Sequence, residues 1–487
     1  MSTRRSLAFS FLDRYASMVV GIVSSMILAR LLTPADVGIF SVTMVLLAMV
    51  TTVRDLGAGQ YLVQEKHLTA DSIRAVWTVQ LGLGALLGCA VMLASTPLAA
   101  FYNEPRMRDI MLLLAFSYFI NPLGSVTYAW LMREMRYDAI AIMRFSSTIG
   151  GAATSIVLAQ RGYGPISLAW GALCSTVVNA GVSVLFRPSG YPWLPGLREV
   201  RRVVSFGTKL TSVSIINTVS TGAPEYLLGK LQSLSAAGFY SRSNGLVATF
   251  NRLVTDAVSP VAFSLLSKEA RESRGSGDLF LRAISYITVL SWTFSLALIF
   301  LAHPAIRVLY GTQWDQSVDL ARLLAAALIF TAPLPLCFVA LISAGAVSTM
   351  LKTTAATASI TVALCVIGAR LGLLHIGFML LADAIIGAII WLSVTRTVVK
   401  FGWRALWQAL RKSGNVAIAS ALCPLISFVL FGAYPEHYAL PLAIGAIGSA
   451  VGFLVGVKLY RHPIEAEIKL LLPRMWPSPE CDGRPRK

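Results

Sequence analysis

Long apolar runs, broken by short clusters of charged residues, proline and glycine, organise the 487-residue chain. A helix that crosses a bilayer needs about 20 mostly apolar residues. Fourteen segments meet that pattern: 11–32, 38–58, 75–97, 110–132, 139–160, 166–186, 205–231, 236–263, 281–302, 320–344, 353–371, 375–398, 415–431 and 438–457. The seventh and eighth are the most polar of the set, and the eleventh and twelfth nearly touch. The ten-residue alternation of a membrane β-strand is missing, so helices are the way this backbone is satisfied in lipid. The longest outside connection is expected at 304–319.

Composition sharpens this. Hydrophobic residues make up 56% of the chain and charged residues 13%, with a mean hydropathy of +0.70. A soluble domain carries about 25% charged residues. This chain has too little polar surface to cover itself, which excludes a soluble enzyme, a nucleic-acid-binding domain, a disordered tail protein and a secreted disulfide scaffold. Five of the six cysteines, Cys89, Cys174, Cys337, Cys365 and Cys423, fall in apolar runs. None has C-x-x-C spacing or a His cluster nearby, so they read as small core residues, without a metal or redox role.

The formal charge of +18 has an orientation. With the N-terminus in the cytoplasm and sides alternating, 27 Lys and Arg fall on inside segments and eight on outside loops. That bias puts both termini in the cytoplasm and accounts for the charge without nucleic acid. Ser2-Thr3-Arg4-Arg5 then precedes an uncleaved first helix, not a signal peptide. The tail from Tyr460 lies along anionic headgroups or is disordered.

A short motif occurs twice. Ala29-Arg30-Leu31-Leu32-Thr33-Pro34-Ala35-Asp36-Val37-Gly38-Ile39-Phe40 joins spans one and two. Two hundred residues later, Gly229-Lys230-Leu231-Gln232-Ser233-Leu234-Ser235-Ala236-Ala237-Gly238-Phe239-Tyr240 joins spans seven and eight. Six intervening spans make the copies parallel. Two six-helix lobes related by an axis along the membrane normal follow, with the substrate path between them. The predicted fold is an all-α polytopic membrane protein. Its parts are an N-lobe at 1–204, a C-lobe at 205–400, two added helices at 401–459 and a cytoplasmic tail at 460–487. Within the motif, Thr33 caps the second helix, Pro34 suits its first turn and Gly38 permits close helix approach.

With Arg54-Asp55-Leu56-Gly57-Ala58-Gly59 and Val63-Gln64-Glu65-Lys66, that first motif resembles the polysaccharide-transporter group. These are oligosaccharide flippases of the multidrug/oligosaccharidyl-lipid/polysaccharide exporter superfamily, and the likeness to the colanic-acid-exporter branch runs along most of the chain. The resemblance implies two helical lobes around a central cavity. It also implies transport of a polyprenyl-pyrophosphate-linked oligosaccharide from the cytoplasmic to the outer leaflet of the bacterial inner membrane, driven by an ion gradient. Related lipid II flippases carry arginines on spans one, two and eight. Here span one has no cation from Tyr15 to Ala29, so that arginine set is not carried over.

Such a substrate needs a wet, basic interior, because each unpaired buried hydroxyl costs about 2–7 kcal/mol. Cations serve the pyrophosphate, and no nucleophile is needed. Span eight is richest, with Arg242, Asn244, Asn251, Arg252 and Asp256. A mid-membrane arginine costs at least about 2.5–3.5 kcal/mol. Arg252 and Asp256 share a helix face, so they either face the cavity or pair with each other. Arg14, Arg54 and Arg144 lie at cytoplasmic ends of spans, as diphosphate attractors or as ordinary anchors. Glu225, Asp256 and Asp383 are the ion-coupling candidates. Glu225 follows Pro224, which breaks the helix, and either carries a proton or pairs with Lys230.

Catalytic residues, metal ligands and cofactors are not expected, and the missing P-loop argues against an ATPase. Expected partners are the lipid-linked oligosaccharide, membrane lipids, and a polysaccharide polymerase with its chain-length and export machinery. The rivals are a drug/cation antiporter of the same superfamily and, less favoured, a membrane-embedded polymerase, ligase or glycosyltransferase.

Overall fold

The computed structural model describes the backbone of residues 3–55, 58–65, 69–187, 192, 194–271, 277–432 and 437–471. Within these helices the side chains of 3–14, 55, 64, 206–213, 470, 471 and several positions between 253 and 271 are not described. Arg14, Lys209 and Asp256 are among them, so the expected Arg252–Asp256 pair lies outside the described side chains.

The described chain is all-α. Its helices are α1 (Thr3–Leu31), α2 (Pro34–Asp55), α3 (Ala58–Gln64), α4 (Ala70–Tyr102), α5 (Pro105–Arg133), α6 (Tyr137–Gln160), α7 (Ile166–Leu185), α8 (Val200–Leu231) and α9 (Leu234–Arg271). There follow α10 (Gly277–Leu309), α11 (Ser317–Thr331), α12 (Leu334–Ser343), α13 (Val347–Leu371), α14 (Leu373–Val399), α15 (Trp403–Phe431), α16 (Ala439–Leu459) and α17 (Ile464–Leu471).

Eleven of the helical segments in the described chain are long and apolar enough to cross a bilayer, with α11 and α12 counted as one. The chain is therefore a multi-pass membrane protein. Helices also stand at the three remaining expected positions, as α1, α8 and α9.

Several helices exceed the apolar runs that predicted them. α10 continues through Pro304 to Leu309, leaving a connection of seven residues that includes a 3₁₀ turn at Thr312–Trp314. The expected loop at 304–319 is thus shorter. Residues 56 and 57 of the second predicted span lie outside the described residues, between α2 and α3. Nor does Pro224 break a helix: α8 runs through it. A proline removes one N–H and crowds the carbonyl four residues back. The preceding turn is tied by the hydroxyls of Ser220 and Thr221, which donate to Asn217 O at 3.1 and 2.8 Å, and the helix continues.

Two compact units divide the chain: Met1–Ser241 with Ala369–Leu373, and Arg242–Gly368 with Leu374–Lys487. In the first, α4 packs on α5, α5 and α6 on α7, α1 on α6 and α2 on α8. One of its apolar cores gathers Tyr61, Leu62, Val76, Trp77, Val126 and Val203. Arg133 donates to Leu62 O at 2.7 Å and so fixes α3 against α5. The start of α2 matches the sequence expectation. Asp36 N donates to Thr33 Oγ1 at 3.2 Å, Thr33 Oγ1 donates back to the Asp36 carboxylate at 2.7 Å, and Pro34 opens the helix.

The second unit is organised around α10, which packs against α11, α15 and α16. The α15–α16 seam is close because of glycines: a Cβ on Gly448 would lie 2.3 Å from Cys423 Cβ, and one on Gly452 2.8 Å from Ala419 O. Beyond α16, the His462 ring is buried under the ends of α10 and α15. Ile464 N donates to its Nδ1 at 3.2 Å, so the ring proton sits on Nε2, 2.8 Å from Ser285 Oγ. Ser413 Oγ, 3.2 Å from the same nitrogen, donates to Ser285 O and lies 3.0 Å from Thr288 Oγ1.

Candidate functional site

From Arg242 onward α9 carries most of the expected polar residues on different stripes. Arg242, Leu246 and Phe250 follow at i, i+4 and i+8, which is one face of a helix. Leu246 and Phe250 line an apolar cavity of about 520 Å³ together with Phe294 and Leu298 of α10 and Ala446 and Phe453 of α16. Phe250 and Phe294 stack there, with ring centroids 3.8 Å apart. At the head of that stripe, the Arg242 guanidinium carbon lies 5.5 Å from the Tyr310 ring centroid and 5.3 Å from that of Trp314. The neighbouring Ser243 Oγ donates to Ser317 O at 2.9 Å. Both contacts hold α9 to the α10–α11 connection. A guanidinium over two rings is a favourable, partly desolvated cation–π arrangement.

Asn244 and Asn251 are half-buried, and Thr255 Oγ1 lies 3.5 Å from Asn251 Oδ1. Arg252 is exposed. Within α9, then, Arg242 is engaged by aromatic rings, while Arg252 is exposed and the two amides are half-buried.

In the first unit the arginines separate. Arg54 is only 8% exposed, with its guanidinium carbon 5.6 Å from the Tyr118 ring centroid. Tyr118 OH donates to Leu47 O at 2.9 Å and fixes the ring in turn. Arg144 is exposed and donates to Tyr128 OH at 3.0 Å. The two tyrosines are ten residues apart on α5, about 15 Å along its axis. The structure therefore does not bring Arg54 and Arg144 to one point. Arg14 belongs to α1, and its side chain is outside the described set.

Each described carboxylate candidate has one polar partner shown. Glu225 on α8 is half-buried and hydrogen-bonds with Ser241 on α9. Lys230, the alternative partner, instead donates to Phe101 O and lies over that ring at 4.1 Å from its centroid. Asp383 on α14 is half-buried and accepts from Thr361 Oγ1 of α13 at 2.9 Å. Thr353 and Thr357 precede Thr361 at four-residue steps, a polar stripe that apolar-run counting passes over.

A charged clasp also escaped sequence reasoning. Arg106 Nη1 lies 3.0 Å from Asp36 Oδ1, while its Nε and Nη2 take the two Glu104 oxygens at 2.9 and 3.1 Å. Hydrogen bonding from Arg106 holds the Glu104 carboxyl below the usual carboxylate range. Seventy residues separate Asp36 from Arg106, so no local spacing announces the pair.

The whole arrangement has counterparts of known structure. The lipid II flippase MurJ in an inward-closed conformation superposes with a TM-score of 0.78 at 13% identity, covering 95% of this chain and 100% of that one. An inward-facing multidrug resistance MATE family transporter of the MOP superfamily gives 0.65 at 14% identity, covering 80% and 96%. At such identities the likeness establishes the fold alone, which this chain shares with both structures. Residues 27–319 match the family described as polysaccharide biosynthesis protein, and the chain belongs to that family. The succinoglycan biosynthesis transport protein ExoT of Rhizobium meliloti is 25% identical over 66% of this chain. The lipopolysaccharide biosynthesis protein WzxC of Escherichia coli is 23% identical over 63%. The matches span 65% and 62% of the length of these two relatives.

Proposed function

We propose that this chain is a flippase that moves polyprenyl-pyrophosphate-linked oligosaccharide repeat units across the bacterial cytoplasmic membrane. The observation that carries the reading is the family match over 27–319, which includes both copies of the repeated turn and all of α9. The named relatives serve succinoglycan and lipopolysaccharide biosynthesis. The product is relocated, not covalently changed. Fourteen spans, including α1, α8 and α9, form lobes at 1–204 and 205–400, with 401–459 added and both termini cytoplasmic.

In this reading Arg252, Asn244 and Asn251 meet the glycan and its diphosphate, because Arg252 is exposed and the two amides are half-buried on the polar stripes of α9. Arg14, Arg54 and Arg144 attract the diphosphate from the inner leaflet. Arg242 sets the end of α9 against Tyr310 and Trp314. Asp383 with Thr361, Glu225 with Ser241, and Asp256 are the coupling groups for proton or sodium. A polysaccharide polymerase with its chain-length and export machinery receives the flipped unit.

Sealed vesicles loaded with a fluorescent polyprenyl-diphosphate oligosaccharide test this. The expected result is outward movement without change in glycan mass, slowed more than tenfold by Arg252→Ala and accelerated by an imposed ion gradient. Movement indifferent to both proton and sodium gradients removes the coupling role. A covalently altered glycan replaces the flippase by an enzyme, and competition by organic cations replaces it by a drug antiporter.

A further inference from the structure

The two copies of the repeated turn touch each other through their glycines. A Cβ built on Gly38 would lie 1.6 Å from Leu234 O and 3.0 Å from Gly238 N. One built on Gly238 would lie 2.0 Å from Pro34 O and 3.1 Å from Gly38 N. Pro34 and Leu234, like Gly38 and Gly238, are 200 residues apart and equivalent in the repeat. The contact is thus reciprocal: the first-residue carbonyl of each helix rests against the glycine of the other, as a local two-fold relation requires. No side chain larger than hydrogen fits at either position.

The contact continues along α2 and α8. A Cβ on Gly229 would lie 2.8 Å from Val42 Cγ2, and one on Gly222 2.3 Å from Val45 Cγ1. Tyr102 OH donates to Tyr226 O at 3.2 Å and braces α8 from α4. Val42, one turn past Gly38, is fully buried.

We propose that Gly38 and Gly238 form the outer seal of the translocation path, a backbone-to-backbone lock that parts when the path opens outward. The inference rests on the flippase reading and its topology, which put both turns at the outer face. Backbone contact suits a reversible seal. It closes without side-chain interdigitation, leaves few rotamers to order, and a symmetric pair gives the two turns the same geometry in which to re-engage. The glycines are positioning residues and touch no substrate.

The test labels Val42→Cys in intact cells with a membrane-impermeant maleimide, using the otherwise native chain as blank. The thiol is expected to be unreactive in the closed state, since labelling needs a hydrated thiolate. Adding Gly38→Ala or Gly238→Ala should each raise labelling by about tenfold or more, because a Cβ cannot coexist with the closed contact. Gly82→Ala, where a Cβ meets nothing within 4 Å, should leave labelling unchanged. Tyr102→Phe inserts no atom and should raise labelling by a smaller factor; it decides the question if the glycine variants do not accumulate. Unchanged labelling in the accumulating variants overturns the seal, whatever a transport assay reports. Increased labelling beside a native chain that moves no lipid-linked oligosaccharide overturns the proposed function and leaves the seal standing.

Discussion

Two polar clasps in this molecule solve the same problem with different chemistry. At the start of α2, Thr33, Asp36, Arg106 and Glu104 join the helix to α5 through charge, and Arg106 is 53% exposed. Between α16 and α17, His462, Ser285, Ser413 and Thr288 join the chain to α10 and α15 through neutral groups, all buried. The exposed clasp keeps its charges near solvent, where desolvation is small and the gain is modest. The buried clasp carries no charge because an ion there would be strongly penalised. Depth selects the chemistry.

The largest separation between them should come from deletion. His462→Ala leaves the hydroxyls of Ser285 and Ser413 and the Ile464 N–H short of a partner and opens a cavity, costing about 2–4 kcal/mol. Thermal unfolding in detergent should show a clear loss, greatest for α17 and the end of α16.

Acid should act next. Burial, and then the charge of Lys412, push the His462 ring down to about 4 from an ordinary value near 6.5. The unfolded chain therefore takes up the proton first as pH falls. The stability held by the neutral ring is full above about pH 6.5 and is lost towards pH 4, up to about 3 kcal/mol. Melting curves from pH 7 to 4 should fall steeply in the native chain and be flatter in His462→Ala. A native chain with no acid dependence in that window would break the contrast.

Asp36→Asn should cost less, about 1–2 kcal/mol, since it weakens a helix cap and a half-exposed ion pair. High salt should mimic part of that loss in the native chain and leave the His462 clasp untouched. The smallest effect compares the two repeat turns. Thr33→Ala should cost about 1 kcal/mol, and Ser233→Ala, whose hydroxyl only accepts from Ala236 N at 3.1 Å, somewhat less. Equal losses would mean that the Asp36 carboxylate adds nothing to the first cap.

Sequence reasoning reached the architecture because the signals for it are local. An apolar run of span length announces a helix, and a helix stands at each predicted position, although the tenth run divides between α11 and α12. Thr33, Pro34 and Gly38 announce a turn, and the turn is there. Helix ends were less legible. Pro304 and Pro224 looked like breaks, yet α10 and α8 absorb them, because neighbouring hydroxyls and packing outweigh one missing N–H. Of the candidate site, the residue types of α9 were readable but their faces were not. Arg242 and Arg252 look alike in sequence, and only the fold places aromatic rings over the first and leaves the second exposed. Thr361 was invisible beside Asp383, since nothing in a threonine row says which helix it will face.

The sequence by itself determined that this is a multi-pass helical membrane protein with a duplicated turn of the polysaccharide-transporter kind. Hydrophobic span length, helix capping and family motifs all act within a few residues or a few turns. Tertiary structure alone decided which groups meet: Gly38 with Gly238, Asp36 with Arg106, and His462 with Ser285. Those contacts join residues 70 to 200 positions apart, and they depend on helix rotation and depth, which no local pattern encodes.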